Sequence, residues 1–253
     1  MDIQGMAAIV TGGASGLGAA TAAHLASKGA KVTLFDVNEE SGHAHATSIG
    51  GQFARVDVTQ EDQVLAGLAK GREAHGPARV LVNCAGIGPG SKVVGRKGPH
   101  SLDLFSKVVT INLIGSFNCL RLAAADMVEL EPLEGGERGV IINTASIAAY
   151  EGQMGQVAYS ASKGGIVGMT LPAARDLSRS GVRVCTIAPG IFATPLLMGL
   201  PQEVQDSLGQ SVPFPSRLGE PGEFASLAGH IVENAMLNGE TIRLDGALRM
   251  APR

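Results

Sequence analysis

The chain has 253 residues, 45% of them hydrophobic and 17% charged, with 35 glycines and no tryptophan, a composition that excludes disorder and suits tight strand-to-helix turns around an aliphatic core. A formal net charge of -3 supplies no concentrated basic surface, which argues against nucleic acid or an anionic membrane as partner. Cys84, Cys119 and Cys185 are widely spaced without a CxxC and define neither a disulfide framework nor a zinc site; no leader pattern opens the chain and no apolar run approaches the ~18 residues that span a bilayer, so a soluble, cytoplasmic protein is expected.

In chain order, the spacing predicts a strand over 7–11, a glycine-rich turn, a helix over 17–28 and a strand over 31–36 ending in Asp36. A strand over 51–55, a helix over 60–74 and a strand over 78–83 follow. Beyond an irregular stretch at 88–100 come a helix over 103–130, a second irregular stretch at 131–138 and a strand over 139–144. A helix over 158–180 and a strand over 183–188 lead into a long Pro- and Gly-punctuated segment at 190–221, closed by a helix over 222–232 and a strand over 241–244. Short apolar runs alternating with helical periodicity are the pattern of βαβ units. One α/β domain over 1–253 is expected, a doubly wound seven-stranded parallel sheet of Rossmann type with helices on both faces. Its 190–221 segment exceeds the ~2–6 residues of an ordinary connection and lies beyond a strand C-terminus, where open α/β sheets bind ligands.

Thr11 to Gly18 places Gly12, Gly16 and Gly18 in a G-x-x-x-G-x-G array between the first strand and the first helix. Glycine permits a tight turn and close backbone approach, and a helix N-terminus offers free N–H groups to a pyrophosphate. Asp36, about 20 residues on, is placed to accept hydrogen bonds from an adenosine ribose. A 2′-phosphate meets like charge there, and neither Ala14 nor Ser15 brings a cation, so the expected cofactor is NAD.

Tyr159 and Lys163 are four residues apart in a helical pattern, which puts a phenol and an ammonium on one face with Cβ atoms roughly 5–6 Å apart. A neighbouring cation favours the phenolate, so Lys163 is expected to turn Tyr159 into a usable base. Ser146 ends an apolar strand thirteen residues upstream. His24, His43, His45, His75, His100 and His230 show no ligand spacing, and no metal is assigned.

With these motifs the chain resembles the short-chain dehydrogenases/reductases along essentially its whole length. The family's glycine motif stands at Thr11–Gly18, its adenine-side Asp at Asp57, its Asn-Asn-Ala-Gly at Asn83-Cys84-Ala85-Gly86, its strand-end Ser at Ser146 and its YxxxK at Tyr159 and Lys163. Its helical Asn is Asn112, and its Pro-Gly is Pro189-Gly190 with Thr194 beyond. Cys84 departs from the family's second Asn. The resemblance implies that Tyr159 is the general acid/base, that Lys163 lowers its pKa and holds the nicotinamide ribose, that Ser146 orients the substrate oxygen and that Asn112 positions a relay water. It implies NAD contacts from Gly12, Ser15, Gly16, Leu17, Gly18, Asp36, Asp57, Val58, Asn83, Ala85, Gly86, Tyr159, Lys163, Pro189, Gly190 and Thr194.

The stretches 139–146, 159–176, 186–190, 212–219 and 238–250 look like the 3-hydroxyacyl-CoA dehydrogenase subgroup of that family. The implied reaction is NAD-dependent interconversion of an L-3-hydroxyacyl-CoA and the 3-oxoacyl-CoA, in a homotetramer paired through 103–130 and 158–180 and through 237–250. Leu196, Leu197, Met198, Leu200 and Phe214 are expected to wall an acyl slot beneath a mobile lid, and Lys92, Arg96 and Lys97 to meet CoA phosphates. The alternatives are a 3-oxoacyl-carrier-protein reductase or hydroxysteroid dehydrogenase of the same family, and a dinucleotide-binding scaffold without turnover.

Overall fold

The computed structural model describes residues 1–96 and 98–252, so Lys97 of the basic loop lies outside the described residues, as does the side chain of Leu196. The strands are β1 (Ala7–Thr11), β2 (Lys31–Asp36), β3 (Gln52–Arg55), β4 (Ala78–Asn83), the short β5 (Val94–Gly95) and β6 (Gly98–Pro99), then β7 (Gly139–Thr144), β8 (Val182–Pro189) and β9 (Thr241–Leu244). Seven form one sheet in the order β3-β2-β1-β4-β7-β8-β9, and every neighbouring pair in it is parallel. β5 and β6 form a separate antiparallel hairpin.

The strands are apolar on both sides, and successive residues of a strand face opposite ways, so both faces of this sheet must be covered. Ala8 and Val10 enter one core with Leu34, Val82 and Ile142; Ile9 enters the other with Phe35, Leu81 and Ile141. The first core is roofed by α1 (Gly16–Ser27), α2 (Glu39–Ser48) and, from the far end of the chain, Phe224, Ala228 and Ile231. The second is closed by α3 (Glu61–His75) and by Cys119, Leu120, Ala123 and Met127. Strand order reverses between β1 and β4, so a crevice opens at their C-terminal ends, as doubly wound sheets require.

The expected 103–130 helix is three pieces. α4 (Leu102–Val109) and α5 (Gly115–Val128) flank a π-helical turn at Thr110–Ile114, where the Gly115 N–H reaches back to the Thr110 carbonyl. The run Leu102–Val128 is long and apolar enough to cross a membrane, yet half of its most apolar window is buried in the fold. α6 (Val157–Leu177) follows, carrying Pro172 inside it, and ends in a 3₁₀ turn before Gly181 at φ 68. The 190–221 segment contains two helices, α7 (Pro195–Met198) and α8 (Gln202–Gln210), before α9 (Pro221–Glu233). The Glu220 and Glu223 carboxylates close a capping box at its start.

Elsewhere the predicted bounds agree within a residue or two. The missed helix is α2, whose Ser, Gly, His and Thr residues offer no apolar stripe; it is started by the Asn38 side chain, which accepts from the Ser41 N–H at 3.1 Å.

One buried ion pair ties α9 to the sheet. Arg183 donates to Glu137 at 2.8 Å and to the carbonyls of Ile231, Leu237 and Val232 at 2.8–3.0 Å. The Met1 ammonium meets the same carboxylate at 3.2 Å.

Candidate active site

The glycine turn sits at the switch point, and its glycines do different work. A Cβ on Gly18 would lie 2.1 Å from the Gly12 carbonyl oxygen, and one on Gly12 would lie 2.8 Å from the Ala85 nitrogen. These two residues let α1 and the segment after β4 close on the turn. Gly16 has φ 54, and a Cβ there would face Pro195 and Thr194 at 3.5–3.7 Å, across the gap between the turn and the 190–221 loop. Among the described residues, no acceptor takes the N–H groups of Gly16, Leu17 or Gly18, and Ser15 at the N-cap makes no side-chain cap bond. Those N–H groups and the partial positive charge of the helix end fit a dinucleotide pyrophosphate.

Asp36, at the end of β2, accepts from the Ala14 N–H and the Asn38 N–H at 3.0 Å each, so it also ties the turn to the strand beside it. Asp57 accepts the N–H and hydroxyl of Thr59 on one oxygen. The carbonyl of buried Val58 is held by the Asn118 amide at 2.9 Å. Thr11 accepts through its hydroxyl from the Cys84 and Ala85 N–H groups at 3.1 Å. Asn83 bonds Asn143, its register partner on β7, at 3.0 Å. Pro189 ends β8, and Gly190 donates to the Leu244 carbonyl at 2.9 Å. Thr194 caps α7 opposite Gly16.

Ser146, Tyr159 and Lys163 converge beyond the ends of β7 and β4. Lys163 is buried and donates to the Thr144 carbonyl at 2.7 Å, with its Nζ 5.7 Å from the Tyr159 ring centre. A Cβ on Gly86 would come within 3.1 Å of Asn112 Oδ1 and 3.7 Å of Lys163 Nζ, so a larger residue would crowd the Asn112 amide. Burial lowers the Lys163 pKa from 10.5 to about 8. Burial also pushes the neighbouring Cys84 thiol up to about 11.

The expected depression of the Tyr159 pKa by Lys163 is not what the protein's own groups produce. Burial raises it, opposed by the Ser146 hydroxyl. The Lys163 ammonium donates instead to the Thr144 carbonyl.

Asn112 lies fully buried in the π-helical turn. Its amide accepts from Ile87 N–H and donates to Ile87 O, both at 2.8 Å, and donates to Ser162 Oγ at 3.0 Å. Its backbone carbonyl accepts from Ser116 Oγ at 2.7 Å. The side chain is therefore engaged in pinning the post-β4 segment, and a water relay would have to use the carbonyl.

The 190–221 loop closes on itself at a neck, where Phe192 and Gly219 form a parallel bridge and Gly219 donates to Ile191 O while Ala193 donates to Gly219 O. Gln205, buried, donates to the Met198 and Leu200 carbonyls at 3.1 and 2.8 Å, fixing the α7–α8 turn. Met198 and Leu200 are exposed on that turn, and Phe214 stands 82% exposed and donates its N–H to Gly246 O. Lys92, just before the β5–β6 hairpin, and Arg96, in its turn, are exposed, and the approach to the hairpin is held by Ser91 N–H donating to the Gly155 carbonyl at 2.7 Å.

Sequence reasoning missed Thr144, Ser162 and Asn143 as supports of the site. Their positions follow from strand register and helix phase, and no local motif announces them.

A profile of the family described as short chain dehydrogenase matches residues 6–205. The chain is similar to "3-hydroxyacyl-CoA dehydrogenase type-2" of Bos taurus, at 56% identity over 99% of this chain and 98% of that protein. The protein of the same name from Homo sapiens is 55% identical with the same coverage. The crystal structure of 3-hydroxyacyl-CoA dehydrogenase type-2 from Mycobacterium avium superposes with a TM-score of 0.94 at 43% identity, covering 98% of each chain.

Proposed function

The chain belongs to the short chain dehydrogenase family, and from that premise we propose that it is an NAD-dependent oxidoreductase interconverting L-3-hydroxyacyl-CoA and 3-oxoacyl-CoA. The observation that carries this reading is the convergence of Ser146, Tyr159 and Lys163 beside the glycine turn, in a chain whose full-length relatives bear that enzyme's name.

The dinucleotide, when bound, accepts or supplies the hydride at the substrate carbon. The protein's part is the proton and the geometry. Tyr159 takes the hydroxyl proton in the oxidative direction and returns it in reduction. Ser146 holds the substrate oxygen against Tyr159. The Lys163 ammonium, stationed by Thr144, holds the nicotinamide ribose. Asn112 keeps the post-β4 segment against Lys163, and its backbone carbonyl, which already accepts from Ser116 Oγ, has a second lone pair for a relay water. The glycine-turn N–H groups receive the pyrophosphate. Asp36 receives the adenosine ribose and disfavours a 2′-phosphate, which supports NAD over NADP, and Asp57, Val58, Asn83, Ala85, Pro189, Gly190 and Thr194 complete the cofactor wall.

Met198 and Leu200 face the acyl chain, and Lys92 and Arg96 meet the CoA phosphates. The exposed Leu102, Ile114 and Phe117 on the 102–128 run, with Val157 and Leu171 on α6, support a homotetramer through those helices. Light scattering on the purified protein tests the assembly.

The enzymatic reading is tested by NADH absorbance with acetoacetyl-CoA, a ketosteroid and acetoacetyl carrier protein offered in parallel. Preference for acetoacetyl-CoA is the expected result. Preference for the carrier-protein substrate with NADPH overturns it, and no turnover of any of the three favours a scaffold.

A further inference from the structure

Ser146 and Tyr159 must be held in register across a connection that is irregular from residue 150 to 156, and the groups fixing it come from the far end of the chain. We infer that Arg243 is a positioning residue for the Ser146–Tyr159 pair, acting through Glu151, with residues 245–252 as the strap that makes this contact; the inference rests on the dehydrogenase reading above.

Arg243, on β9, donates to both carboxylate oxygens of Glu151 at 2.8 and 3.0 Å. It also donates to Asp245 at 2.7 Å and to the Leu248 carbonyl at 3.0 Å, and its guanidinium lies 5.3 Å from the Tyr150 ring centre. A planar guanidinium engaged on both carboxylate oxygens fixes direction as well as distance, which a lysine at that position does not reproduce. Arg249 adds contacts to Glu151 and Asp245 at 3.3 Å each. The Met250 N–H donates to Glu151, the Met154 N–H to the Pro252 carbonyl and the Gln153 amide to the Ala251 carbonyl. The 150–156 connection is thus tied to the strap at Glu151, Gln153 and Met154.

A small apolar cluster joins the same segments from beneath. Ile147, the neighbour of Ser146, packs with Val212 from the base of the lid and Leu248 from the strap. Gly152 lies against Ser160, next to Tyr159, where a Cβ would come within 2.1 Å of the Ser160 hydroxyl. Freedom at Glu151 therefore reaches Ser146 through Ile147 and Tyr159 through Ser160. Displacement of about 1 Å at a reacting group can cost ~100-fold in rate, so a surface-layer ion pair here has catalytic consequence.

The test is steady-state kinetics with acetoacetyl-CoA and NADH on wild type, Arg243→Met, Arg243→Lys, Glu151→Gln, the double variant Arg243→Met/Glu151→Gln and a remote control, Arg72→Met, whose partner Asp126 lies on α5. NADH affinity and circular dichroism are measured on each. Expected are a fall in kcat of about 10-fold or more for Arg243→Met and Glu151→Gln, NADH affinity within about 2-fold of wild type, partial recovery in Arg243→Lys, no further loss in the double variant, because both residues act as one unit, and an unaffected control. Should Arg243→Met fail to fold, the near-isosteric Glu151→Gln decides. An active, folded Arg243→Met or Glu151→Gln with kcat within about 2-fold of wild type overturns the inference, as does parallel loss of kcat and NADH affinity, which marks a merely structural pair. A wild type inert toward acetoacetyl-CoA removes the functional reading and this inference together, whereas an active wild type with an equally active variant removes the inference alone.

Discussion

The Lys163 ammonium donates to the Thr144 carbonyl at 2.7 Å, two residues before Ser146, so the last residue of β7 sets the position of the buried cation. Burial holds its pKa near 8 against an ordinary 10.5. Below about pH 8 the lysine is charged in both folded and unfolded chains, and the fold bears the full desolvation cost. Between about pH 8 and 10.5 the folded lysine has released a proton that the unfolded one retains, so stability rises with pH. Urea unfolding without dinucleotide at about pH 8 and about pH 9.5 should show wild type gaining on the order of 2 kcal/mol relative to Lys163→Met. The opposing titrations of Cys84 and Tyr159 are common to both proteins and cancel to first order. A flat difference would contradict the placement of the charge.

Tyr159→Phe removes the phenol oxygen while keeping the ring. Turnover should drop ~100-fold or more, with NAD affinity, read by fluorescence titration, little changed. Residual turnover above about 10% would mean another group carries the proton.

Asp36 should govern the choice between NAD and NADP. Asp36→Asn retains an acceptor for the Ala14 or Asn38 N–H while removing the charge, and the ratio of kcat/KM for NAD over NADP is expected to narrow about 10-fold, equivalent to ~1.4 kcal/mol. An unchanged ratio would remove Asp36 from cofactor selection.

Gly18→Ala and Gly16→Ala should fail differently. The first drives a methyl into the Gly12 carbonyl and is expected to lower stability by about 3 kcal/mol, seen as a thermal midpoint down by roughly 5 °C or more. The second meets no close neighbour but carries φ 54. Its stability loss is expected to be about 1 kcal/mol, with NAD affinity falling well beyond that. Equal effects in both assays would collapse the distinction.

Glu137→Gln leaves Arg183 buried with its carbonyl acceptors but without its counter-charge. Breaking such a pair costs about 3 kcal/mol, measurable by urea denaturation, with catalysis at saturating substrate unaffected where the protein is folded.

The sheet and the convergence of Ser146, Tyr159 and Lys163 are legible in the sequence because their signals are local. A strand such as Ala7–Thr11 declares itself by being apolar on both faces, and Tyr159 and Lys163 by one helical turn. The π-helical turn around Asn112 was not legible, since a single extra residue leaves the apolar spacing of 103–130 almost unchanged. α2 was hidden because its stability rests on Asn38 and on tertiary contact, not on periodicity. The direction of the Tyr159 shift in the protein alone, upward through burial, is not legible for a related reason. Spacing fixes which face a side chain leaves from, but its final direction was decided by the Thr144 carbonyl, 19 residues away in sequence. The Glu151–Arg243 contact spans 92 residues, and nothing in either neighbourhood points to the other.

The bridge between Phe192 and Gly219 brings the two ends of the α7–α8 excursion side by side on the body of the protein. The stretch between Thr194, which faces Gly16, and Val212, which packs on Ile147, can therefore lengthen or shorten without altering the distance the scaffold must span. On the proposed reading that this excursion meets the substrate, substrate range is a transplantable property, separable from the chemistry assigned to Ser146, Tyr159 and Lys163.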